Sequence, residues 1–444
     1  MNTAKLPAIG WRAGWLVTWL LWTAACAPAP VAAPAATTDA ATDAQAALDA
    51  AAQAETEAVD TGAQAEGLAD GTDDASRRRT LDSQVDDADA LAEVKADIAP
   101  VPKTVVWVHH PQAAQMTLRG SVAPLSWTAD FAPAQVTGTA ARFDLPPANQ
   151  PMQIKARRKD SWAIGANHVV QPEEQRHMHP FFDPKVANGR RENFTMPGPF
   201  GGTRTLRTWL PPGYDENTAA QYPLLLMMDG QNLFEDETAS FGVSWKAAKA
   251  ALAAYGEAKL GEVIIVGIDH AGAKRIHEYT PWPDQKVGQG GGGVAYAAWL
   301  QASVLPELTK RYRLLPEREA RVLGGSSLGA LISLYALVAQ QQTWGGAVCM
   351  SGAWWWQNLK IKSWVTQNYD AKLPVRIWLD AGDVDDGLEA TAAIKAALEA
   401  LGIKGKALGY HVAPGANHSE AAWAARVHLP LQYFFDPGDR AKPF

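Results

Sequence analysis

The stretch Arg321-Val-Leu-Gly-Gly-Ser-Ser-Leu-Gly-Ala-Leu-Ile-Ser-Leu-Tyr-Ala-Leu-Val338 constrains the fold more than any other part of the chain. A short apolar strand at Val322 and Leu323 runs into glycines and then a serine, and an apolar helix follows. Within it, Gly325-Ser326-Ser327-Leu328-Gly329 puts a glycine two residues before and two residues after Ser327, not Ser326. A serine on a sharp strand-to-helix turn projects its hydroxyl away from the backbone, and the turn closes only if the flanking residues are tiny. The helix start leaves backbone N–H groups, that of Leu328 among them, free to stabilise negative charge on an oxygen. A glycine-rich turn with two capping serines would account for the pentad alone. The strand before it, the helix after it and the residues downstream favour a nucleophile.

The 444 residues leave room for about three domains. Residues 1–25 read as a targeting segment: Lys5 and Arg12 supply positive charge, Trp15–Trp22 the apolar run, and Thr23-Ala-Ala25 a small-residue cleavage zone. The run is too short to span a bilayer. Cys26 follows at once, which resembles a bacterial lipoprotein signal and implies lipidation of Cys26, with ordinary signal cleavage as the alternative. On that reading the protein is exported, to the periplasm or outer membrane, and meets membrane only through its lipid anchor. The other cysteine, Cys349, lies in an apolar run and reads as a small core residue.

Residues 27–100 are Ala, Pro, Thr, Asp and Glu with almost no aromatic side chains. Sixteen acids stand there against four bases, a net of −12, whereas the whole chain carries −7. The remainder is therefore close to neutral, and nucleic acid is not an expected partner. A segment of this composition cannot bury enough surface to fold and reads as a disordered tether.

From Lys103 the pattern changes to short strands: Val105–Val108, Gln115–Arg119, Arg142–Leu145 and Gln153–Arg157, separated by Pro, Gly and Asn breaks. Residues 103–176 thus predict a small antiparallel β-sandwich. Through Leu118-Arg-Gly-Ser121, Trp127 and Trp162 it resembles the immunoglobulin-like module of glycogen-debranching enzymes and enterochelin-esterase-like proteins. Trp107, Trp127 and Trp162 are expected in its core, a sugar-stacking surface being the alternative. His109-His110 and His177-Met-His179 have no carboxylate or cysteine at ligand spacing, so they read as loop histidines and no metal is expected.

After residue 190 strands and helices alternate, which predicts a mostly parallel sheet with helices on both faces. The strands are Arg204–Leu210, Tyr222–Met228, Glu262–Gly267, the elbow strand, Ala347–Ser351, Val375–Leu379 and Ala407–Val412; the helices include Ser244–Tyr255, Val294–Tyr312 and Ala390–Leu401. In such sheets the site gathers at the carboxyl ends of the strands. Gly288-Gln-Gly-Gly-Gly-Gly293 lacks the Lys-Ser/Thr ending of a phosphate loop and reads as a mobile flap, so no cofactor is expected.

Leu210-Pro-Pro-Gly-Tyr214, Met228-Asp-Gly-Gln-Asn-Leu-Phe234, Glu278-Tyr-Thr-Pro-Trp282, Gly324–Gly329, Met350-Ser-Gly352 and Gly415-Ala-Asn-His418 together resemble the esterase family of α/β-hydrolases. That family includes enterochelin, feruloyl and acetyl-xylan esterases, and the resemblance covers residues 190–437. It implies an α/β-hydrolase fold and ester hydrolysis through a Ser-His-Asp triad, on carbohydrate or siderophore-like esters. In this fold the acid and the histidine follow the serine in that order. The loop Ala381-Gly-Asp-Val-Asp-Asp-Gly387 offers Asp383, Asp385 and Asp386, and the family's G-x-x-D stretch points to Asp385. His418 sits on the turn after the last strand, as the family pattern requires. The second oxyanion donor is implied at the Gly230 or Gln231 amide, paired with Leu328. Trp282, Trp354 and Trp355 are expected at the rim, against the substrate. An acyltransferase of the same fold, or a non-catalytic carbohydrate-binding lipoprotein, stands as the alternative.

Overall fold

A computed structural model describes residues 104–437. The targeting segment, Cys26 and the acidic tether lie outside the described residues.

The first part is all β. Two small sheets face each other: one has the order β3-β4-β1-β8 and the other runs β2-β5-β6, with β7 added to β5. Their strands are β1 (Thr104–His109), β2 (Met116–Gly120), β3 (Gln135–Thr137), β4 (Ala140–Leu145), β5 (Met152–Arg158), β6 (Ser161–Trp162), β7 (His168–Val170) and β8 (Gln175–Met178). Inward residues alternate with outward ones, so Val106, Val108, Leu118, Phe143, Ile154 and Ala156 close the core between the sheets. Two expectations fail here. Trp127 and Trp162 are exposed, at 37% and 40%, rather than in the core. Trp162 falls on the outward phase of the β6 pleat and Trp127 on the loop after β2, and composition gives no warning of either. The histidines of 109 and 177 are not loop residues either. They end β1 and lie within β8, where Trp107, His177, His109 and His179 form a stacked row across the two paired strands.

The second part is built on eight strands in the order β18-β17-β16-β15-β11-β12-β10-β9. These are β9 (Arg190–Pro197), β10 (Thr203–Leu210), β11 (Leu224–Met228), β12 (Ile264–Ile268), β15 (Arg321–Ser326), β16 (Gly346–Met350), β17 (Arg376–Gly382) and β18 (Leu408–Ala413); β13 (Pro283–Asp284) and β14 (Gln289–Gly290) make a separate hairpin. Pairing is parallel from β18 to β12 and antiparallel at the β10 and β9 edge. Every residue of β11, β12 and β16 is buried, because helices cover both faces. Alternate residues of β11 feed different cores: Leu224, Leu226 and Met228 on one face, Leu225 and Met227 on the other. The helix Leu328–Ala339 buries all but its last residue, so its hydrophobicity on all sides marks a central position.

Two local departures have simple causes. The expected helix Val294–Tyr312 is interrupted by a π turn at Leu300–Val304, just before Pro306, whose ring nitrogen has no hydrogen to donate. The Gly288–Gly293 run is not a free flap. The N–H groups of Gly291 and Gly293 donate to Thr280 O at 3.1 and 3.0 Å, and that of Gly292 donates to His277 O at 2.9 Å.

The two parts are joined at Glu216. Its carboxylate accepts Arg158 Nη1 at 3.0 Å, the Phe182 N–H at 2.8 Å and the Asp183 N–H at 2.7 Å, and His110 Nε2 lies 3.4 Å away. Removing this acceptor leaves a guanidinium and two amide donors without their partner. Glu216→Ala is therefore expected to lower stability by about 2–3 kcal/mol, with Glu216→Gln between the two. Thermal unfolding followed by circular dichroism reads the effect as a fall of several degrees; an unchanged midpoint would show that the junction contributes nothing.

Candidate active site

Ser327 is held where the sequence places it, between β15 and the helix Leu328–Ala339. Its backbone has φ 55 and ψ −120, a conformation that ordinary residues avoid. Holding a non-glycine residue there costs about 1–3 kcal/mol, which the surrounding packing must supply. The neighbours of β16 clamp it: Ser327 N–H donates to Met350 O at 3.0 Å, and Ala353 N–H donates to Ser327 O at 2.9 Å. The glycine spacing has a steric reason. A Cβ on Gly325 would lie 2.7 Å from the backbone carbon of Gly329, which leaves no room there, and one on Gly329 would press on Met228 Cβ at 3.1 Å. Ser326, by contrast, is buried at the end of its strand.

Leu328 is the first helical residue, and its N–H has no acceptor within the helix. The other implied donors sit after β11. Asp229 adopts a left-handed turn with φ 57, and Gly230 follows so close to β12 that a Cβ on it would lie 2.4 Å from the carbonyl carbon of Gly267. The turn is fixed by side chains that sequence reasoning did not single out. Arg275 donates two bonds of 2.7 Å to the Asp229 carboxylate, and its guanidinium lies 5.2 Å from the Tyr279 ring centre. Gln231 is pinned from the other side, its Oε1 accepting the His270 N–H at 3.2 Å and its Nε2 donating to Ser240 Oγ at 3.2 Å.

The acid that meets His418 is Asp386, not Asp385. His418 Nδ1 lies 2.6 Å from Asp386 Oδ1. Asp385 takes a left-handed backbone, φ 51, and is exposed; that turn swings the next residue inward, so Asp386 is only 4% exposed. Asp383 has a different task, accepting the Gly415 N–H at 2.7 Å and so tying the two loops together.

Asp386 is the centre of a buried polar network. Its Oδ2 accepts Ser351 Oγ at 2.5 Å, the Gly382 N–H at 2.6 Å and, more distantly, Arg426 Nη2 at 3.3 Å. Arg426 also donates to Ser351 Oγ at 2.6 Å and to Asp380 Oδ1 at 2.9 Å, while Trp423 Nε1 donates to Ser351 Oγ at 2.9 Å. Burial pushes the Asp386 pKa up, but the hydrogen bonds from His418, Ser351 and Gly382 outweigh it and hold the carboxyl below its ordinary value. Asp380 goes the other way: its burial is the larger effect, and its carboxyl is raised despite Arg426. Trp423 closes the edge, packing at right angles on the His418 ring with centres 5.0 Å apart. A further acid, Glu420, stands nearby, its pKa raised by burial and by the charge of Asp229.

The three tryptophans expected at the rim separate. Trp354 is fully buried and donates from Nε1 to Thr391 Oγ1 at 3.1 Å, so it is a core residue. The loop carrying it runs inward beside Ser327, and only one of its three indoles has room outside. Trp282 is half-buried against Tyr335 and Trp364, and its carbonyl accepts Trp356 Nε1 at 2.8 Å. Trp355 alone projects, at 59% exposure, two residues beyond the Ala353 amide bound to Ser327.

Comparison with known proteins places the chain among the following relatives. A curated relative, the uncharacterized protein YbbA of Bacillus subtilis (strain 168), is 27% identical over 162 residues, 35% of this chain. The match spans 60% of that relative's length. Among solved structures, a ferulic acid esterase aligns with TM-score 0.46 at 17% identity, over 56% of this chain and 98% of its own. The enterobactin esterase FES from Shigella flexneri, in the presence of enterobactin, aligns with TM-score 0.46 at 15% identity, over 75% of this chain and 92% of its own. The model of the family described as "Putative esterase" matches residues 199–429, more than half of the chain, a range that includes Ser327, Asp386 and His418. The chain therefore belongs to that "Putative esterase" family.

Proposed function

We propose that the protein cleaves carboxylic esters through an acyl-enzyme, with Ser327 as nucleophile, His418 as general base and then general acid, and Asp386 as the carboxylate that orients it. The observation that carries this reading is the 2.6 Å bond from His418 Nδ1 to a buried Asp386. With Nδ1 held by the carboxylate, Nε2 is left as the nitrogen that takes a proton. Ser327 Oγ attacks the carbonyl carbon as its proton passes to His418 Nε2. The carbonyl oxygen becomes an oxyanion facing the Leu328 N–H and that of Gly230 or Gln231. Collapse breaks the bond to the alkoxy oxygen, which leaves as alcohol with the proton from His418. Water then enters by the same base, and the carboxylic acid departs, restoring Ser327.

Trp355 supports a further element of the reading, an acyl or alcohol group with a flat ring face. An exposed indole two residues from the Ala353 amide that binds Ser327 offers stacking worth about 0.5–1.5 kcal/mol beyond the area it covers. Trp355→Ala is expected to lower kcat/KM on an aryl ester such as methyl cinnamate by about tenfold, while a short acetate ester changes less than about twofold. Steady-state assays of both esters with both proteins give the comparison. Failure of the wild type to hydrolyse any carboxylic ester in a panel of acetyl, cinnamoyl and catecholate esters would sink the reading itself, and equal losses on both esters would remove Trp355 from it.

A further inference from the structure

The all-β part presents a second surface of the kind that holds a ligand. On the outer face of the sheet β2-β5-β6, register places Arg119 opposite Lys155 and Arg157 opposite Trp162, while Leu118, Ile154 and Ala156 point inward. Trp127, from the loop after β2, brings its ring to within 6.2 Å of Trp162 at an interplanar angle of 51°. Both indoles are exposed large side chains, and monomeric proteins rarely leave two such groups together on the surface without a use.

The pair is held rigid. The Arg157 and Arg119 guanidiniums lie 5.0 and 5.4 Å from the Trp162 ring centre. Asp130 fixes both arginines, accepting Arg119 Nε at 2.6 Å and Arg157 Nη1 at 2.7 and 3.0 Å. Arg119 Nη1 also donates to Trp127 O at 2.8 Å, tying the loop to the sheet. The backbone of the module thus commits two guanidiniums and a carboxylate to orienting two rings that have no role in its core. Along the same face Gln153 Oε1 accepts Asn167 Nδ2 at 3.1 Å, giving a polar border of amides beside the aromatic pair.

We propose that this face binds a pyranose polysaccharide. A pyranose ring has an apolar face of C–H groups and a rim of hydroxyls, which matches the exposed surface of Trp127 and the part of Trp162 that the two guanidiniums over its ring leave open, with carboxylate and amide groups alongside. Two indoles inclined to one another suit successive residues of a twisted chain rather than one flat aromatic ligand. Asp130 offsets one of the three cations Arg119, Arg157 and Lys155, so the face keeps a net positive charge and an acidic sugar fits it as well as a neutral one. The surface belongs to the β module and is independent of the ester chemistry at Ser327.

Affinity gel electrophoresis and titration calorimetry test the proposal with the full chain, using soluble arabinoxylan, amylopectin and polygalacturonate as probes. The Ser327→Ala protein serves as the starting form, so that turnover cannot alter the probe. Retardation by at least one polysaccharide is expected, with Trp162→Ala and Trp127→Ala each weakening it about tenfold or more and Trp162→Phe weakening it less. Both residues are exposed, so unfolding is not expected on substitution, and an unchanged melting curve verifies this. Absence of binding to all three probes overturns the proposal. So does binding that the alanine variants leave intact, or concentration-dependent self-association that Trp162→Ala abolishes, which would assign the patch to a second copy of this chain.

Discussion

Asp386→Asn is expected to lower ester turnover by about 10³–10⁴-fold with KM little changed, by analogy with the loss of the orienting carboxylate in other triads. The substitution keeps the size of a side chain that is 4% exposed, so packing is preserved. It removes the charge that supports an imidazolium on His418, 2.6 Å away, and that interaction belongs mainly to the transition state. It also disturbs Arg426 and Ser351, whose donors converge on Asp386 Oδ2. Some loss of stability should therefore accompany the loss of rate. Asp385→Asn, at an exposed turn, should leave turnover within about twofold. Asp383→Asn removes an acceptor for Gly415 N–H and should cost about 1 kcal/mol of stability with a modest effect on rate. Measuring kcat, KM and melting temperature for the three variants separates them. A collapse in Asp385→Asn beside a fully active Asp386→Asn would falsify the assignment.

Ser327→Ala should remove catalysis almost entirely, by about 10⁵-fold or more, while Ser326→Ala retains most of it. Ser326 is 3% exposed at the end of β15 and has no path to a substrate, whereas Ser327 stands on the strained turn. The strain supplies a second readout. Glycine tolerates φ 55 without penalty, so Ser327→Gly should be inactive yet more stable than Ser327→Ala. Hydrolysis rates with parallel thermal melts decide both points. A folded Ser327→Ala enzyme with wild-type turnover would rule out the acyl-enzyme route.

The chain itself announced the parallel sheet, because strands buried on both faces must be apolar throughout and β11, β12 and β16 are. It announced Ser327 as well, since a turn this tight admits no side chain at position 325 and crowds one at position 329, and that requirement is written as glycine. His418 followed from being the histidine placed on a loop after the last strand. These features are local: each depends on a residue's own backbone or on its immediate neighbours.

What tertiary structure alone decided depends on direction rather than identity. Three aspartates in one loop are equivalent as letters, and only the left-handed turn at Asp385 determines that Asp386 points inward to His418. Ser351 and Asp380 lie far along the chain from Trp423 and Arg426, and nothing in their spacing showed that they would join in one polar network around Asp386. Among adjacent tryptophans, Trp354 entered the core and Trp355 faced solvent, a difference of one residue on an irregular loop. Trp162 shows the same thing on a sheet: whether an indole fills the core or stands outside is set by the phase of the pleat, and a shift of one residue reverses it.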